Sequence, residues 1–468
     1  MTRDEALALA KAVLGYVERP TIGVQINHRV ISTIRIVRND QITCAQTDEL
    51  TLNFPTEIGS ELNVTVATNV RDAAMLREAV RHAEMRATPP IRKEDEEEDD
   101  DDDPIHFALG PHTYLPVSLW HAGTQDAMAT FQGDVIVRIV AAMHQSQMQC
   151  AATIALMSRA ALRTYTLGMT AWGEDTDSEI TVTARSADGK ASGWSGQAAR
   201  DWNRIRPERA VQDAITMARR TVGAMRVEPG RYTTILGPAA LGGLIVKMGE
   251  LFNGRVGSPF TYMNVTNNHK TKIGQRVMDE RVTMRTDPAD PAYGEYPFFP
   301  DNGYPSGAAT WIEKGILRTL AYDPGDAQDE GKIPLKTPGA MQMSGGTTTI
   351  EEMIAQCERG IYVHRLSGVN LIDPPSAAMS GTTRDGCFLI KNGKIHSPIV
   401  NLHFYDSPVL ALNRLMAIGV PERVAFGFIE LKPRYGASDP MGSWPVPPIV
   451  VPPVMVRDFN FTALADAV

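Results

Sequence analysis

The amino-acid sequence predicts an α+β protein, with a mixed-sheet α/β region first and a mostly antiparallel, barrel-like β region after it. Amphipathic helical stretches alternate with strand-like segments up to about residue 228. From Arg231 onward, short alternating segments and turn residues predominate. With 43% apolar and 22% charged residues among 468, the composition is that of a globular protein that buries a substantial core.

Residues 1–86 are expected to form an N-terminal α/β domain. The chain starts with an amphipathic helix signal, and Thr2–Glu5 has the spacing of a capping box. Alternation of apolar and polar residues over Ser32–Arg38 and Leu62–Ala67 predicts two strands. Helical periodicity over Asp72–Arg86 predicts a second helix, so the segment combines both element types.

The clearest boundary is an acidic linker over residues 87–105. Its ten consecutive acidic residues, Glu94–Asp103, repel one another and predict a solvated segment without a defined cation site. They carry more negative charge than the formal net charge of −9, so the rest of the chain is nearly neutral. The sequence has no stripe of basic residues of the kind that binds nucleic acid.

Residues 106–228 are expected to form a central α+β domain. Helical periodicity appears around Val135–Gln147 and again near Arg206–Met225. Between them, alternation around Ile180–Ala184 predicts a strand, and Asp188–Gly189 is a strong two-residue hairpin signal.

Residues 229–468 are expected to form a β-rich C-terminal domain. Trp311–Leu317 and Cys387–Ile395 have the pattern of hairpins. A capping box precedes a short helix at Ile350–Glu358. The tail Pro445–Val456 is rich in proline and is expected at a sheet edge or as an extended arm.

Targeting signals and cysteine usage favour a cytoplasmic protein. The first residues lack an apolar segment followed by a small-residue cleavage site, so no secretory signal is expected. No run of about 18 apolar residues predicts a membrane span. The four cysteines are far apart and are each expected to act as small buried apolar residues, as in a reducing compartment: Cys44, Cys150, Cys357 and Cys387.

Six short segments, in order between about residues 20 and 460, carry a resemblance to a known family. They are Glu228–Pro238, Lys272–Val277, Asp301–Gly303, Ile312–Leu317, Gly360–His364 and Leu389–Ile395. Each is a common pattern, so their shared order gives the match its specificity. In that order they resemble the TldD/PmbA family of zinc-protease-like proteins.

The resemblance also indicates what this chain lacks. In zinc-bearing members, a helix soon after a Gly-Pro turn carries HExxxH, and a C-terminal cysteine completes the site. The histidines and thiolate hold Zn²⁺, and the glutamate activates a bound water. Counted from Leu236–Pro238, the histidine positions fall on Val246 and Leu251 and the glutamate on Lys247. No cysteine or histidine follows Val420. We therefore expect no catalytic residue, no bound metal and no other cofactor.

Other metal sites have little support in the sequence. His396 and His403 are expected on opposite faces of one strand because of their odd spacing, with Asp406 nearby. Surface or capping roles are simpler for them than ligation. Asp175 and Asp177 resemble the start of a calcium loop, but the later glycine and glutamate are missing.

Nucleophilic catalysis has no support either, and one short segment is left as a cleft candidate. Ser195 lacks the GxSxG pattern and is expected on a hairpin surface. Thr383–Gly386 precedes a predicted strand and is most simply a turn. The alternative is that Arg384 and Asp385 line a peptide cleft.

The family resemblance implies a non-catalytic, TldE/PmbA-like subunit. Such a subunit pairs with a zinc-bearing TldD-like subunit, and the pair cleaves unfolded or leader-type peptides. One alternative is an inactivated homologue that acts as a homodimeric peptide-binding protein; another is a hydrolase with unrelated chemistry. Neither nucleic acid nor membrane is an expected partner. Whether the chain has enzymatic activity of its own stays open at this point.

Shortening the acidic run Glu94–Asp103 should leave the melting temperature nearly unchanged, because loop length affects stability only weakly. Thermal unfolding of the shortened variant beside the full chain checks this expectation. A loss of several degrees would show that the run packs on the protein or binds a partner.

Overall fold

The computed structural model describes residues 1–19, 21–55, 63–86, 111–115, 117–130, 133–254, 260–264, 271–294, 305, 307–322, 324–427 and 447–465. The predicted linker 87–105, the segment Asp301–Gly303 and the first two residues of the predicted proline-rich arm lie outside this set. Within it, the α+β expectation is confirmed, with a closed antiparallel-rich barrel in the C-terminal region.

The helices in the described ranges are α1 Arg3–Leu14, α2 Ala73–Arg86, α3 Ala122–Thr130, α4 Gly133–Gln145, α5 Pro207–Arg220, α6 Pro238–Met248, α7 Pro324–Asp329, α8 Ile350–Gln356 and α9 Pro408–Asn413. Short 3-10 helices span Trp202–Arg204 and Gly249–Phe252.

The strands of the first half are β1 Gly23–Val37, β2 Gln41–Pro55, β3 Asn63–Thr68, β4 Gln149–Tyr165, β5 Thr170–Arg185, β6 Ser192–Ala199 and β7 Gly230–Leu236. Those that follow are β8 Met284–Thr286, β9 Ala309–Glu313, β10 Ile316–Leu317, β11 Met341–Met343, β12 Arg359–Asp373, β13 Ala378–Lys391, β14 Lys394–Pro398, β15 Leu402–Asp406, β16 Leu415–Ile418, β17 Glu422–Arg423, β18 Ile449–Val451 and β19 Val454–Leu464.

A single antiparallel sheet, called here the central sheet, has the order β3-β2-β1-β4-β5-β6. Strand β1 pairs with β4 from Gly23 opposite Tyr165 to Ile36 opposite Ala152. Strands from before residue 86 and after residue 106 therefore belong to one sheet. The domain boundaries at these two positions stay predictions.

Strand alternation gives the central sheet two different faces. Even-numbered apolar residues of β1, β4 and β5, such as Ile34, Ile154 and Ile180, are buried beneath helices α3, α4 and α5. The same face of the sheet is covered by α1 and α2 farther along. The odd-numbered residues of β5 lie on the opposite face, which packs against the C-terminal region.

Local signals in the sequence predicted several helix ends and turns correctly. The capping boxes at Thr2–Glu5 and Thr349–Glu352 are both present. Asn392 and Gly393 have positive φ angles of 51° and 73° in the predicted hairpin turn. The helix expected up to Met225 instead ends at Arg220, so Val222 is 60% exposed rather than part of the buried face.

The C-terminal region contains a five-stranded barrel and a second sheet. The barrel closes through the pairs β7–β12, β12–β13, β13–β15, β15–β19 and β19–β7, of which only β7–β12 is parallel. The second sheet has the order β10-β9-β8-β11-β18-β17. Helix α6 contributes to one apolar core shared by the barrel and the second sheet.

The expectation for the proline-rich tail was wrong within its described part. Strand β18 pairs on both sides, with β11 and with β17, and β19 belongs to the barrel. Pro452 and Pro453 fall between the two strands, where neither has to donate a hydrogen bond within a ladder. None of the helices in the described part of the chain is long and apolar enough to cross a membrane.

Candidate functional site

Helix α6 follows directly from a barrel strand. Strand β7 ends at Leu236, and the Gly237 N–H donates to the Val363 carbonyl oxygen of β12 at 2.9 Å. Gly237 is the N-cap, and Pro238 occupies the first helical turn, where its missing N–H costs nothing. The helix predicted near Gly243–Phe252 is present, but its last four residues form a 3-10 turn.

Three apolar side chains spaced along one face of α6 and the 3-10 turn after it are fully buried. Leu244 is 1% exposed, and Met248 and Leu251 are 0% exposed, in the core shared with the barrel and the second sheet. Leu251 has taken up a core position, and its neighbour Phe252 stacks at a tilt on Trp311 with ring centroids 5.4 Å apart.

Val246 and Lys247, the other two positions aligned with the zinc motif, are only partly buried. Val246 packs on the edge of the same core. Neither residue offers a donor that would hold a divalent cation, because valine has no ligand atom and lysine is itself cationic. In the part of the chain that the structure describes, no three histidine, cysteine, aspartate or glutamate residues form a metal-binding group.

A short piece of chain, Arg423–Gly427, lies between α6 and the central sheet; it is called here the bridging segment. A Cβ atom on Gly242 of α6 would come within 2.9 Å of Val424 and 3.3 Å of Phe426. On the other side, a Cβ atom on Gly196 of β6 would come within 2.7 Å of Ala425. The two glycines therefore permit a close three-layer stack of sheet, bridging segment and helix.

Two buried carboxylates of β5 hold the bridging segment in place. Asp177 accepts two hydrogen bonds from Arg423 Nη2, at 2.8 and 2.7 Å. Glu179 accepts from the backbone N–H groups of Phe426 at 3.0 Å and Gly427 at 2.6 Å. Burial raises the pKa of Glu179 to about 7, although both N–H groups favour the charged carboxylate.

A third carboxylate on the same face is also buried. Asp175 accepts from Arg159 Nε at 2.8 Å and from Arg200 Nη1 at 2.7 Å. Burial alone would raise the pKa of Asp175, but the two guanidinium groups hold it below its ordinary value. Asp175 and Asp177 thus lie in the middle of a strand and pair with arginines, which excludes the calcium-loop interpretation.

Of the two predicted cleft residues, Arg384 and Asp385, only Asp385 lines a cavity. Thr383–Gly386 lies inside β13 rather than before it, with a bulge where two residues of β13 oppose one of β12. Asp385, with a φ of 54°, is 2% exposed and faces Arg365 and Arg384 at 3.6 and 3.8 Å. It lines a cavity of about 190 Å³ whose walls include neither Arg384 nor α6. A peptide cleft at these two residues stays a prediction.

His364 is a partly buried residue that the sequence did not single out as functional. Its Nε2 lies 3.0 Å from the Trp194 carbonyl oxygen, so this nitrogen carries the proton, and Nδ1 accepts from the Tyr362 hydroxyl at 3.1 Å. Burial lowers the pKa of His364, which keeps the imidazole neutral. The residue ties the barrel to β6 through hydrogen bonds. Its only sequence signal was its place in the family-like segment Gly360–His364.

His396 and His403 do not share a strand, so the expectation for them was wrong. His396 lies in β14, which pairs with one end of β13, and His403 in β15, which pairs with the other. Asp406 accepts two hydrogen bonds from Arg414 Nη2, both at 2.9 Å. Within the described part of the chain, these three residues form no metal-binding group.

The expectation for the cysteines holds for three of the four. Cys150, Cys357 and Cys387 are buried, whereas Cys44 is exposed on β2. Burial raises the pKa of the Cys387 thiol to about 12, so it stays protonated. Ser195 is partly buried within β6, close to the hairpin position expected for it.

A family model matches the C-terminal half of the chain. The model of the PmbA/TldA metallopeptidase C-terminal domain matches residues 229–463, half of the chain. A Buchnera aphidicola protein named metalloprotease TldD homolog is 24% identical over 234 residues, which are 46% of this chain and 46% of that protein. An Archaeoglobus fulgidus metalloprotease is 24% identical over 137 residues, 27% of this chain and 32% of that protein. The chain thus spans less than half the length of these curated relatives.

Two solved structures share the fold over nearly the whole chain. TldE from Thermococcus kodakarensis superposes with a TM-score of 0.72 at 14% identity, covering 98% of this chain and 99% of that one. A Bacteroides thetaiotaomicron protein described as a proposed modulator of DNA gyrase superposes with a TM-score of 0.74 at 17% identity, covering 99% and 100%. At these identities the likeness shows the fold alone.

The Glu179→Gln variant should change how stability depends on pH. The folded-state pKa of about 7 lies above the ordinary value of 4.5, so the contribution of Glu179 to stability is complete below pH 4.5 and is lost as the pH rises through 7. Glutamine does not titrate. Relative to wild type, the variant should therefore gain roughly 2 kcal/mol between pH 5 and pH 8.

Urea unfolding at a series of pH values measures this difference, whatever the absolute stability of the variant. Glu174→Gln, on the same strand but only partly buried, is the matched control and should show no such trend. Parallel pH profiles for wild type and Glu179→Gln would contradict the expectation.

Restoring the motif with Val246→His, Lys247→Glu and Leu251→His should yield a destabilised protein without peptidase activity. An imidazole at the fully buried position 251 would lack partners, at roughly 1–3 kcal/mol. Unfolding curves and cleavage of an unstructured peptide with added zinc test the triple variant. The single Val246→His change, at a partly buried position, is the control and should cost less. Cleavage by a stably folded triple variant would contradict this account.

Proposed function

Because the chain belongs to the TldD/PmbA family, we propose that it is a non-catalytic, TldE/PmbA-like subunit of a metallopeptidase complex. Its partner would be a zinc-bearing, TldD-like subunit, and the complex would degrade or process unfolded or leader peptides. In this complex the chain shapes the peptide channel and stabilises the partner. It has no peptidase activity by itself.

The observation that carries this proposal is which residues occupy the zinc-motif positions of α6 and the 3-10 turn after it, and how they are buried. Both positions aligned with the zinc-binding histidines are apolar, and the position aligned with the water-activating glutamate is the cationic Lys247. Leu251 is fully buried among core residues. The bridging segment packs on the same helix at Gly242. A helix in these surroundings supports the fold, and a zinc-bearing partner would supply the hydrolytic chemistry.

The alternative, a homodimeric peptide-binding protein, is favoured by the open edge of β2. Strand β3 pairs only with the second half of β2, from Leu50 to Pro55. Along Gln41–Thr47 the outer side of β2 has no strand partner among the described residues, and this stretch carries no charge and no proline. Such an edge accepts a further strand, from a second copy or from an extended peptide.

Co-expression with an HExxxH-bearing homologue from the same genome tests the proposal. We expect the tagged chain to co-purify with that protein, and the complex, but not the chain alone, to cleave an unstructured peptide. The chain alone should hold well under one zinc per molecule. Stoichiometric, chelator-sensitive zinc in the isolated chain would overturn the proposal. A stable homodimer that does not bind the homologue would favour the alternative.

A further inference from the structure

Arg423 of the bridging segment is buried with most of its hydrogen-bonding capacity unused. Its side chain is 7% exposed. A guanidinium group carries five N–H donors on three nitrogens. Both of the hydrogen bonds that Arg423 makes come from Nη2 and end on the Asp177 carboxylate. Its Nε and Nη1 atoms have no hydrogen-bond partner among the described residues.

Arg200, directly after the end of β6, is also buried with an unpartnered N–H group. Its side chain is 2% exposed. Nη1 donates to Asp175 Oδ2 at 2.7 Å and to the Thr176 carbonyl oxygen at 3.3 Å, and Nη2 donates to the Gly294 carbonyl oxygen. Within the described part of the chain, nothing accepts from Nε.

Both arginines line the same cavity, of about 450 Å³, where the central sheet meets the C-terminal region. The end of β6, the 3-10 turn at Trp202–Arg204, the loop 291–293 and β17 form its walls. His121, the exposed Arg204 and Tyr293 add further polar groups. A cavity of this size accommodates a small ligand or the end of a peptide.

A buried N–H group without an acceptor is costly, and native proteins rarely retain one without water or a ligand. Arginine N–H groups bind carboxylate and phosphate oxygens more strongly than neutral acceptors, because the hydrogen bonds are charge-assisted. Asp175 and Asp177 hold the two guanidinium groups in defined positions. Their ordering has already occurred in the fold, which favours binding.

We propose that this cavity is an anion-binding site for a carboxylate-bearing peptide, either its free C-terminus or an acidic side chain. Asp201 and Glu422 also line the cavity, and their charge disfavours a doubly charged anion such as phosphate. The choice of a peptide as the carrier rests on the proposed function. The oxyanion site itself rests on Arg200, Arg204 and Arg423 of the cavity wall.

Calorimetric titration of the full chain with three matched glycine-rich peptides tests the proposal. One peptide has a free C-terminal carboxylate, one is amidated, and one is amidated with a single internal aspartate; inorganic phosphate is the fourth probe. We expect one or both carboxylate-bearing peptides to bind, with affinity that falls as salt rises, and the fully amidated peptide to bind at least about tenfold more weakly.

Two variants connect the binding to the cavity. Arg423→Lys keeps a positive charge beside Asp177 but removes the unpartnered Nε and Nη1 donors. Arg204→Gln removes an exposed cation from the cavity wall and should fold normally. Each should weaken carboxylate binding by about tenfold. Arg35→Gln, an exposed arginine on β1 outside this cavity, is the matched control and should bind as wild type does.

Equal binding of the amidated and carboxylate peptides would overturn the proposal, as would wild-type affinity in both Arg423→Lys and Arg204→Gln. Absence of binding by any peptide would do so too. Tighter binding of phosphate than of either carboxylate peptide would show that the ligand class is wrong. The outcome is independent of the proposed function: a complex with a zinc-bearing homologue that cleaves peptides, beside a chain that binds no carboxylate, would refute the site only.

Discussion

Two buried carboxylates on one face of β5 determine how the C-terminal region sits against the central sheet. Asp177 and Glu179 are two residues apart, so strand geometry places both on the face turned away from the helices. A buried carboxylate needs a partner, and both partners come from the bridging segment, more than 240 residues later. The two halves of the chain therefore fix each other through charge and hydrogen bonding as well as apolar contact.

That constraint has consequences for α6. Because the bridging segment is held against the sheet, Val424 and Phe426 project onto the helix, and only a glycine at position 242 leaves them room. Farther along, a Cβ atom on Gly249 would come within 2.6 Å of the Pro338 carbonyl oxygen, so the end of the helix is closely covered as well. The helix is therefore covered in its middle by the bridging segment and at its C-terminal end by the chain at Pro338.

Features set by neighbouring residues were predictable from the sequence, and features set by distant pairing were not. Thr349 and Glu352 predict their helix end, and Asn392–Gly393 its hairpin, because each signal acts within four residues. The barrel depends on pairing β7 with β12 and β19, which no local pattern encodes. His396 and His403 were assigned to one strand for the same reason, since the break between β14 and β15 leaves little trace in the sequence. At the candidate site, the sequence predicts which residues occupy the motif positions of α6, but not the bridging segment, because the link from Asp177 to Arg423 appears only in three dimensions.

The two buried arginine–aspartate pairs between the central sheet and the C-terminal region suit anion binding without hydrolysis. A zinc ion in a peptidase polarises the scissile carbonyl and lowers the pKa of a bound water, so it both holds substrate and creates the nucleophile. Arginine provides positive charge and directed donors, but it stays protonated at any physiological pH and neither activates water nor accepts a proton. Here Arg423 and Arg200 are fixed positive charges where the central sheet meets the C-terminal region, and each pairs with a buried aspartate. In the proposed complex, such an arrangement would orient a peptide by its carboxylate, and bond cleavage would belong to the zinc-bearing subunit.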